Sequence, residues 1–423
     1  MRRSLSPLIV LAALFAVLST SVAGAQTAPP EPTSSAAEQP LKAEQLNRSL
    51  RTLERRAAAD VALDIDAVGQ TRRGRNILLA KFGDPSKTPV LIISSQHGNE
   101  PTGFRAAYEL IGRFAAGGED VEEVLDELYV LVMPLVNPDG YAFDTRGNTD
   151  FTAPPRNSSD CFTDDGDVDP ALTNLGRGVF STQYNDTEEY SYDINRYHWA
   201  DWSQSWQIRC NPGLDGRHYN PDLNPVREAR TVRRMYDRYQ PIWVIDVHNQ
   251  GLLRVPDDAD PIANTPGADV FGSVLWPTNE DVSEEVVAFS KQLALIMKVA
   301  SMRQPNAELT RYNGGNFAGI ARNAYGLLGS ERVDDESAPV GGSVLFEISG
   351  QSQHPLAPQE RSRRVDVAED LLWAALEATA SGSVQNVNPA LADLLILPQQ
   401  ERIPSGNGAA AAGPMKLDMT VRD

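Results

Sequence analysis

Hydrophobic and polar positions form blocks of two kinds along the chain. Short continuous apolar runs are typical of buried strands, whereas apolar residues repeated every three or four positions are typical of helices. The apolar runs predict strands at 76–83, 88–96, 127–137, 241–249 and 343–350. The helical spacing predicts helices at 103–117, 224–240, 283–301 and 363–380, the third with Ser283 as its N-cap.

The order of these elements indicates the fold class. Strands that alternate with helices favour an α/β fold: a mixed, mostly parallel twisted sheet with helices on both faces. Residues 149–192 break the alternation with a polar segment, which we interpret as a loop insertion within one domain rather than a second core. Its acidic stretch "TDDGDVD" does not have the order of ligands and glycine of an EF-hand, so it is interpreted as a solvated loop.

Both ends of the chain differ in composition from the middle. Residues 1–25 carry two arginines, an apolar run and an Ala-Gly-Ala cleavage site, which together predict a signal peptide, with a retained membrane anchor as the alternative. Residues 26–41 are rich in Pro, Ser and Ala and predict a flexible linker. A single domain is expected over 42–380, followed by a partly disordered tail over 381–423 with an apolar piece, "ALADLLILP". We therefore expect an exported protein, secreted or periplasmic, without membrane association after cleavage.

Charge and cysteine content narrow the picture further. The formal net charge is −19, which argues against nucleic-acid binding. The two cysteines, Cys161 and Cys210, are expected to form one disulfide in an exported chain, with two free thiols as the alternative. Two cysteines are too few for a structural zinc site made of thiolates. We expect a monomer.

Ionisable residues lie at the ends of three predicted strands. His97 and Glu100 follow the strand 88–96, His248 lies near the end of 241–249, and Glu347 lies inside 343–350. Open α/β sheets bind ligands at the carboxyl ends of their strands. Taken singly, a histidine at a strand end is commonly a hydrogen-bonded structural residue, and an acid near a helix start is favoured by the helix dipole. Glu347 stands in an apolar run and must be paired, desolvated or part of a site.

Taken together, these residues suit a catalytic zinc. Such a zinc needs three protein ligands and one open position, and it lowers the pKa of a bound water to about 7. His97 and Glu100 are separated by two residues in a turn, so both can face one ion, with His248 as a third ligand from a distant strand. Glu347 is then available to accept a proton.

At this point the sequence resembles the carboxypeptidase A family of zinc metallocarboxypeptidases. The resemblance covers roughly residues 45–380 and rests on six motifs in order: "GQTRRGR" (69–75), "HGNEPTG" (97–103), "NPDGY" (137–141), "DINR" (193–196), "VHN" (247–249) and "FEI" (346–348). Carboxypeptidase A is itself a standard example of a zinc enzyme with two His ligands and one Glu ligand. The resemblance implies a zinc carboxypeptidase-like fold and a zinc carboxypeptidase catalytic domain over 42–380.

The resemblance also implies a metal centre with assigned roles. His97, Glu100 and His248 would hold one Zn²⁺ per chain. Asp193 would orient His97 through its second ring nitrogen. Glu347 would act as general base and then as general acid.

Further residues would bind a peptide that has a free C-terminus. Asn195 and Arg196 would grip the terminal carboxylate, and Tyr325 matches the mobile tyrosine that caps the substrate. Arg146 would polarise the scissile carbonyl, with Arg156 as its rival.

Side-chain specificity and the exact amide cleaved stay open at this stage. Counting from Tyr325 places Arg332 near the floor of the side-chain pocket, where it would favour an acidic terminal residue. The leading function is removal of a C-terminal residue from peptides. One alternative is a cell-wall peptidase or amidohydrolase that acts on an unusual amide, such as a γ-glutamyl bond. A second is a non-catalytic binding protein on the same fold, which the complete set of ligands and Glu347 argue against.

Overall fold

The computed structural model describes residues 43–59, 61–149, 181–183, 190–198, 224, 226–261, 264–333, 341–350 and 356–400. Cys161, Cys210, Arg156, most of the insertion 149–192, the segments 1–25 and 26–41, and the end of the tail lie outside these residues. The predictions made for them stay predictions.

An eight-stranded mixed sheet forms the centre of the fold. Its strands are β1 Leu63–Gln70, β2 Asn76–Phe82, β3 Thr88–Ser94, β4 Leu128–Met133, β7 Trp243–Gln250, β9 Val270–Leu275, β10 Glu308–Arg311 and β11 Gly342–Ser349. They lie in the order β1-β2-β4-β3-β7-β11-β9-β10. The central strands β4, β3, β7 and β11 are parallel, whereas β2 and β9 run antiparallel to their inner neighbours. The pairs β5 Ser181–Gln183 with β6 Tyr190–Tyr192, and β8 Leu253–Arg254 with β12 Gln399–Gln400, lie outside it.

Helices cover both faces of the sheet, as the alternating pattern predicted. The α-helices of the described residues are α1 Ala43–Arg56, α2 Pro101–Ala116, α3 Glu119–Leu125, α4 Pro138–Ala142, α5 Arg227–Tyr239, α6 Glu284–Ser301, α7 Ala321–Ser330 and α8 Pro358–Ala380. Helices α2, α6 and α8 pack over one face of the sheet, with the larger apolar core, whereas α5 and α7 pack over the other. The predicted mixed, mostly parallel α/β fold is confirmed.

Local signals account for several of these boundaries. Ser283 caps α6, since its side chain accepts a hydrogen bond from the Val286 amide. The apolar piece of the predicted tail packs against the body through Ala392 and Leu395, which are both buried. No described helix is long and apolar enough to cross a membrane.

Two of the sequence motifs pack against each other and hold the loop that carries His97. A Cβ atom added to Gly98 would lie 1.8 Å from the backbone carbonyl carbon of Gly140, so only glycine fits there. The "GQTRRGR" motif supports the same corner, because Arg75 Nη1 donates to Asp139 Oδ1 at 2.7 Å. The "GQTRRGR" and "NPDGY" motifs therefore support the backbone of the loop that carries His97 and Glu100.

Candidate metal centre and active site

Three side chains predicted as metal ligands converge at the carboxyl edge of the sheet. His97 and Glu100 lie on the loop after β3, and His248 lies near the end of β7. His97 Nδ1 is 2.8 Å from Glu100 Oε1, His248 Nδ1 is 2.8 Å from Glu100 Oε2, and the two Nδ1 atoms are 3.1 Å apart. All three residues are buried, and they form a group able to hold a metal ion.

The far nitrogen of each histidine is held by a carboxylate. His97 Nε2 lies 3.0 Å from Asp193 Oδ1, and His248 Nε2 lies 3.0 Å from Asp246 Oδ2. A carboxylate accepts hydrogen bonds, so each Nε2 carries the proton and each Nδ1 presents a lone pair. Carboxylate–histidine pairs of this kind orient zinc ligands and make them more basic.

The spacing of the ligand atoms fits a zinc ion. Zinc–ligand bonds of about 2.0–2.1 Å in a tetrahedron place the ligand atoms about 3.3 Å apart. The separations of 2.8–3.1 Å in this group are close to that value. Two lone pairs facing each other beside one carboxylate repel, and a cation between them removes the repulsion.

Charges around the ligands keep them ready for a cation. Although burial alone would raise the pKa of Glu100, its interactions with His97 and His248 hold it well below its usual range. Burial also works to raise the pKa of Asp193, but Arg146 and Arg196 hold it well below its usual range. Both carboxylates are therefore ionised at neutral pH.

Glu347 lies next to the ligand group on β11. It is paired in register with His248 across the strands and is 7% exposed. Its Oε2 atom is buried and, within the described part of the chain, has no hydrogen-bond partner. Burial raises its pKa to about 8, with Glu100 adding repulsion and His248 opposing it. A desolvated carboxylate beside a metal group suits proton transfer.

Arg146 reaches the same group from the loop after α4. Its Nε atom donates to Asp193 Oδ2 at 3.1 Å, and its Nη1 atom is 3.6 Å from Glu100 Oε1. The side chain is about one-third exposed. The structure thus brings the predicted arginine to the metal ligands.

Asn195 and Arg196 differ in what they contact. Asn195 is buried, its Nδ2 atom donates to Asp246 Oδ2 at 3.4 Å, and its Oδ1 atom accepts from the Ala321 amide. It therefore links the carboxylate that holds the second histidine to the start of α7. Arg196 is half-buried, donates to the Asn195 carbonyl oxygen at 2.7 Å, and lies near enough to Asp193 to lower its pKa.

Tyr325 is not placed over the cleft. It is fully buried in α7, its hydroxyl bonds to His198 Nδ1 at 2.9 Å, and its ring stacks on Tyr236. A side chain packed in this way cannot move over a substrate without unpacking the helix. Tyr312, half-buried directly after β10, lies nearer the site, because Glu347 is the main cause of its raised pKa.

The interpretation of Arg332 as the pocket floor is wrong. Its Nη1 atom donates to the Pro241 carbonyl oxygen, which precedes β7 at the end of the strand opposite His248. Because β7 spans about 20 Å, Arg332 lies far from the metal ligands at the other end of that strand. A different arginine, Arg322, lies near the site: its charge interacts with those of Arg196 and Glu347.

Behind the metal ligands lies a buried chain of polar groups, to which the sequence analysis assigned no role. Asp246 accepts two 2.8 Å hydrogen bonds from Gln96 Nε2, and Gln96 Oε1 contacts His198 Nε2. Asp246 and His248 occupy alternate positions on one strand and so share a face. That spacing, in an otherwise apolar run, is the signal that marks Asp246.

Comparisons with known proteins agree with this geometry. The sequence profile of the zinc carboxypeptidase family matches residues 50–308. Among solved structures, carboxypeptidase A from Helicoverpa armigera is similar at 16% identity and a TM-score of 0.51, covering 89% of this chain and 81% of that one. Thrombin-activatable fibrinolysis inhibitor is similar at 14% identity and a TM-score of 0.51, covering 86% of this chain and 82% of that one.

These structural likenesses, at such low identity, concern the fold alone. No curated protein matches the chain significantly. The family profile, in contrast, covers well over half of the chain and includes all three metal ligands. The protein is therefore a metallocarboxypeptidase that belongs to the zinc carboxypeptidase family.

Proposed function

We propose that the protein is exported and removes the C-terminal residue of peptides, with His97, Glu100 and His248 holding one zinc ion and Glu347 acting as the base. The observation that carries this proposal is the convergence of the three ligand atoms beside the buried carboxylate of Glu347. The signal-peptide pattern of residues 1–25 supports export, to the periplasm or the medium.

The chain's own residues divide the work of hydrolysis. Zinc, when bound, supplies a Lewis acid that polarises a carbonyl and acidifies water. Glu347 takes the proton of the attacking water and later passes it to the leaving amine. Arg146, fixed by Asp193, presents its guanidinium to the oxygen on which negative charge develops. Arg196 binds the terminal carboxylate and so sets the scissile bond in position.

The test of this function is zinc analysis combined with hydrolysis of a small library of N-blocked dipeptides. A carboxypeptidase releases the C-terminal amino acid from α-linked dipeptides. Release only from γ-glutamyl-linked compounds would identify the alternative amidohydrolase. A zinc-loaded protein that cleaves neither class would contradict the proposed function.

Replacing His248 by alanine is expected to remove stoichiometric zinc from the purified protein. The substitution takes away one of three ligands and leaves Glu100 with one histidine partner. Elemental analysis of the dialysed variant, beside the wild type, gives the measurement. Full zinc retention in the variant would exclude His248 from the site.

Asp246→Asn is expected to weaken zinc binding by about 10- to 100-fold, because the carboxylate that fixes the His248 tautomer is lost. Competition with a chromogenic chelator measures the zinc dissociation constant directly. Glu308→Gln is the matched control, since Glu308 pairs with Lys298 instead of a metal ligand. Equal zinc affinity in Asp246→Asn and the control would show that Asp246 does not position His248.

A further inference from the structure

One arginine beside the active site is buried without an anionic partner. Arg322 lies in the first turn of α7 and is 1% exposed. Its Nη2 atom donates to Thr278 Oγ1 at 3.2 Å and to the Gly315 carbonyl oxygen. Its Nε atom is buried without a hydrogen-bond partner, and no carboxylate of the described residues forms an ion pair with it. A buried cation without a counter-charge is costly, so this arrangement calls for an anion from outside the chain.

Arg322 lies beside the residues that support the metal group. The amide of its neighbour Ala321 donates to Asn195 Oδ1 at 2.8 Å, and Asn195 Nδ2 donates to Asp246 Oδ2. The carbonyl that Arg322 binds, on Gly315, lies three residues after Tyr312, and Tyr312 lies near enough to Glu347 for that carboxylate to raise its pKa. Burial lowers the pKa of Arg322 to about 10, and repulsion from Arg196 adds to this effect. The guanidinium therefore stays charged at neutral pH.

The other two arginines of the cleft have anionic neighbours within the chain. Arg146 pairs with Asp193 at 3.1 Å and approaches Glu100 at 3.6 Å. Arg196 also acts on Asp193, and it has a task in the proposed mechanism. No described carboxylate forms an ion pair with Arg322, and the charges of Asp246 and Glu347 act on it only from a distance. One positive charge is therefore left for a second anionic group of the substrate.

The geometry points to Arg322 as the residue that binds the side-chain carboxylate of an acidic C-terminal residue, so that the preferred substrates end in glutamate or aspartate. This inference rests on the proposed function, which puts the peptide's terminal residue in the cleft. Because Arg322 Nη2 already donates to Thr278 and Gly315, its Nε and Nη1 atoms are the ones left to donate a charge-assisted hydrogen bond to a carboxylate. The protein's net charge of −19 repels acidic peptides in general, so their selection requires a local cation of this kind.

The experiment compares two N-blocked dipeptides that differ in charge but hardly in shape, one ending in glutamate and one in glutamine. The zinc-loaded wild type should favour glutamate in kcat/KM by at least about 30-fold, as expected for a desolvated charge pair. Arg322→Met should remove this preference while changing the rate on the glutamine peptide far less. Arg322→Lys should keep part of it. Arg332→Met is the matched control and should leave the ratio unchanged, because Arg332 binds Pro241 at the far end of β7.

The outcomes separate this inference from the proposed function. Hydrolysis of both peptides at equal rates by the wild type would overturn the role of Arg322 and leave the carboxypeptidase function intact. An equal loss on both peptides in Arg322→Met would also overturn it, because it would indicate a structural role or binding of the terminal carboxylate. Hydrolysis of neither peptide would defeat the proposed function and this inference with it.

A second measurement needs no variant. Free glutamate and free glutamine are tested as competitive inhibitors of the wild type acting on a dipeptide with a neutral end. Glutamate should inhibit at a concentration at least about 30-fold lower. Equal inhibition constants would overturn the inference even if Arg322→Met did not fold.

Discussion

Glu347→Gln is expected to lower kcat by about 10²- to 10⁴-fold, the usual contribution of a general acid–base residue. Glutamine has almost the same shape but cannot accept a proton from water. The carboxylate is buried with an unpartnered oxygen and lies beside His248 in register. Steady-state kinetics on a blocked dipeptide, with zinc content measured on the same sample, checks the result.

The pH profile distinguishes a base from a structural carboxylate. Burial raises the pKa of Glu347 to about 8, and a dication in the adjacent ligand group would lower it. Only the deprotonated form of Glu347 accepts a proton, so wild-type kcat/KM should fall as the pH drops through the pKa that Glu347 has in the zinc-loaded enzyme. The acid limb should disappear in Glu347→Gln. Near wild-type turnover, or an unchanged acid limb in the variant, would rule out Glu347 as the base.

The parts of the fold that were predictable are those that local pattern determines. The runs at 88–96, 241–249 and 343–350 became β3, β7 and β11, because strands buried on both faces must be continuously apolar. Helix α7 was not predicted, since glycine in a helix interior costs about 1 kcal/mol. Tertiary packing explains its glycines: a Cβ atom on Gly326 would lie 2.7 Å from Pro277.

The candidate site was predictable where motifs mark it and unpredictable where function depends on contacts between distant segments. His97 and Glu100 form a local motif, and the structure brings both to His248. Tyr325 was chosen by counting back from Glu347. The short strand β10 has too weak a hydrophobic pattern to be predicted, so the sequence did not draw attention to Tyr312, which follows it. The interpretation of Arg322 depends on which residues from distant segments surround its guanidinium, and the sequence of one helix does not contain that information.

Amidation of the substrate's C-terminus is expected to reduce wild-type kcat/KM by roughly 30-fold to several thousand-fold, and Arg196→Ala should cause a similar loss on the free acid. Loss of a desolvated charge pair typically costs about 2–5 kcal/mol, which corresponds to this range. Arg196 is half-buried, next to the residues that hold both metal-ligand histidines, and its charge acts on Asp193. In the proposed mechanism its guanidinium binds the terminal carboxylate and so sets the last peptide bond beside Glu347.

The combination of the two changes tests whether they remove the same interaction. If Arg196 binds the terminal carboxylate, amidation should harm Arg196→Ala little further, so the two losses should not add. Arg332→Ala, far from the cleft, should keep the full penalty for amidation. Equal wild-type rates on amidated and free peptides would mean that the chain end is not recognised, whatever the zinc analysis shows. Losses that add fully would assign the terminal carboxylate to a group other than Arg196, because a partner already removed cannot be lost a second time.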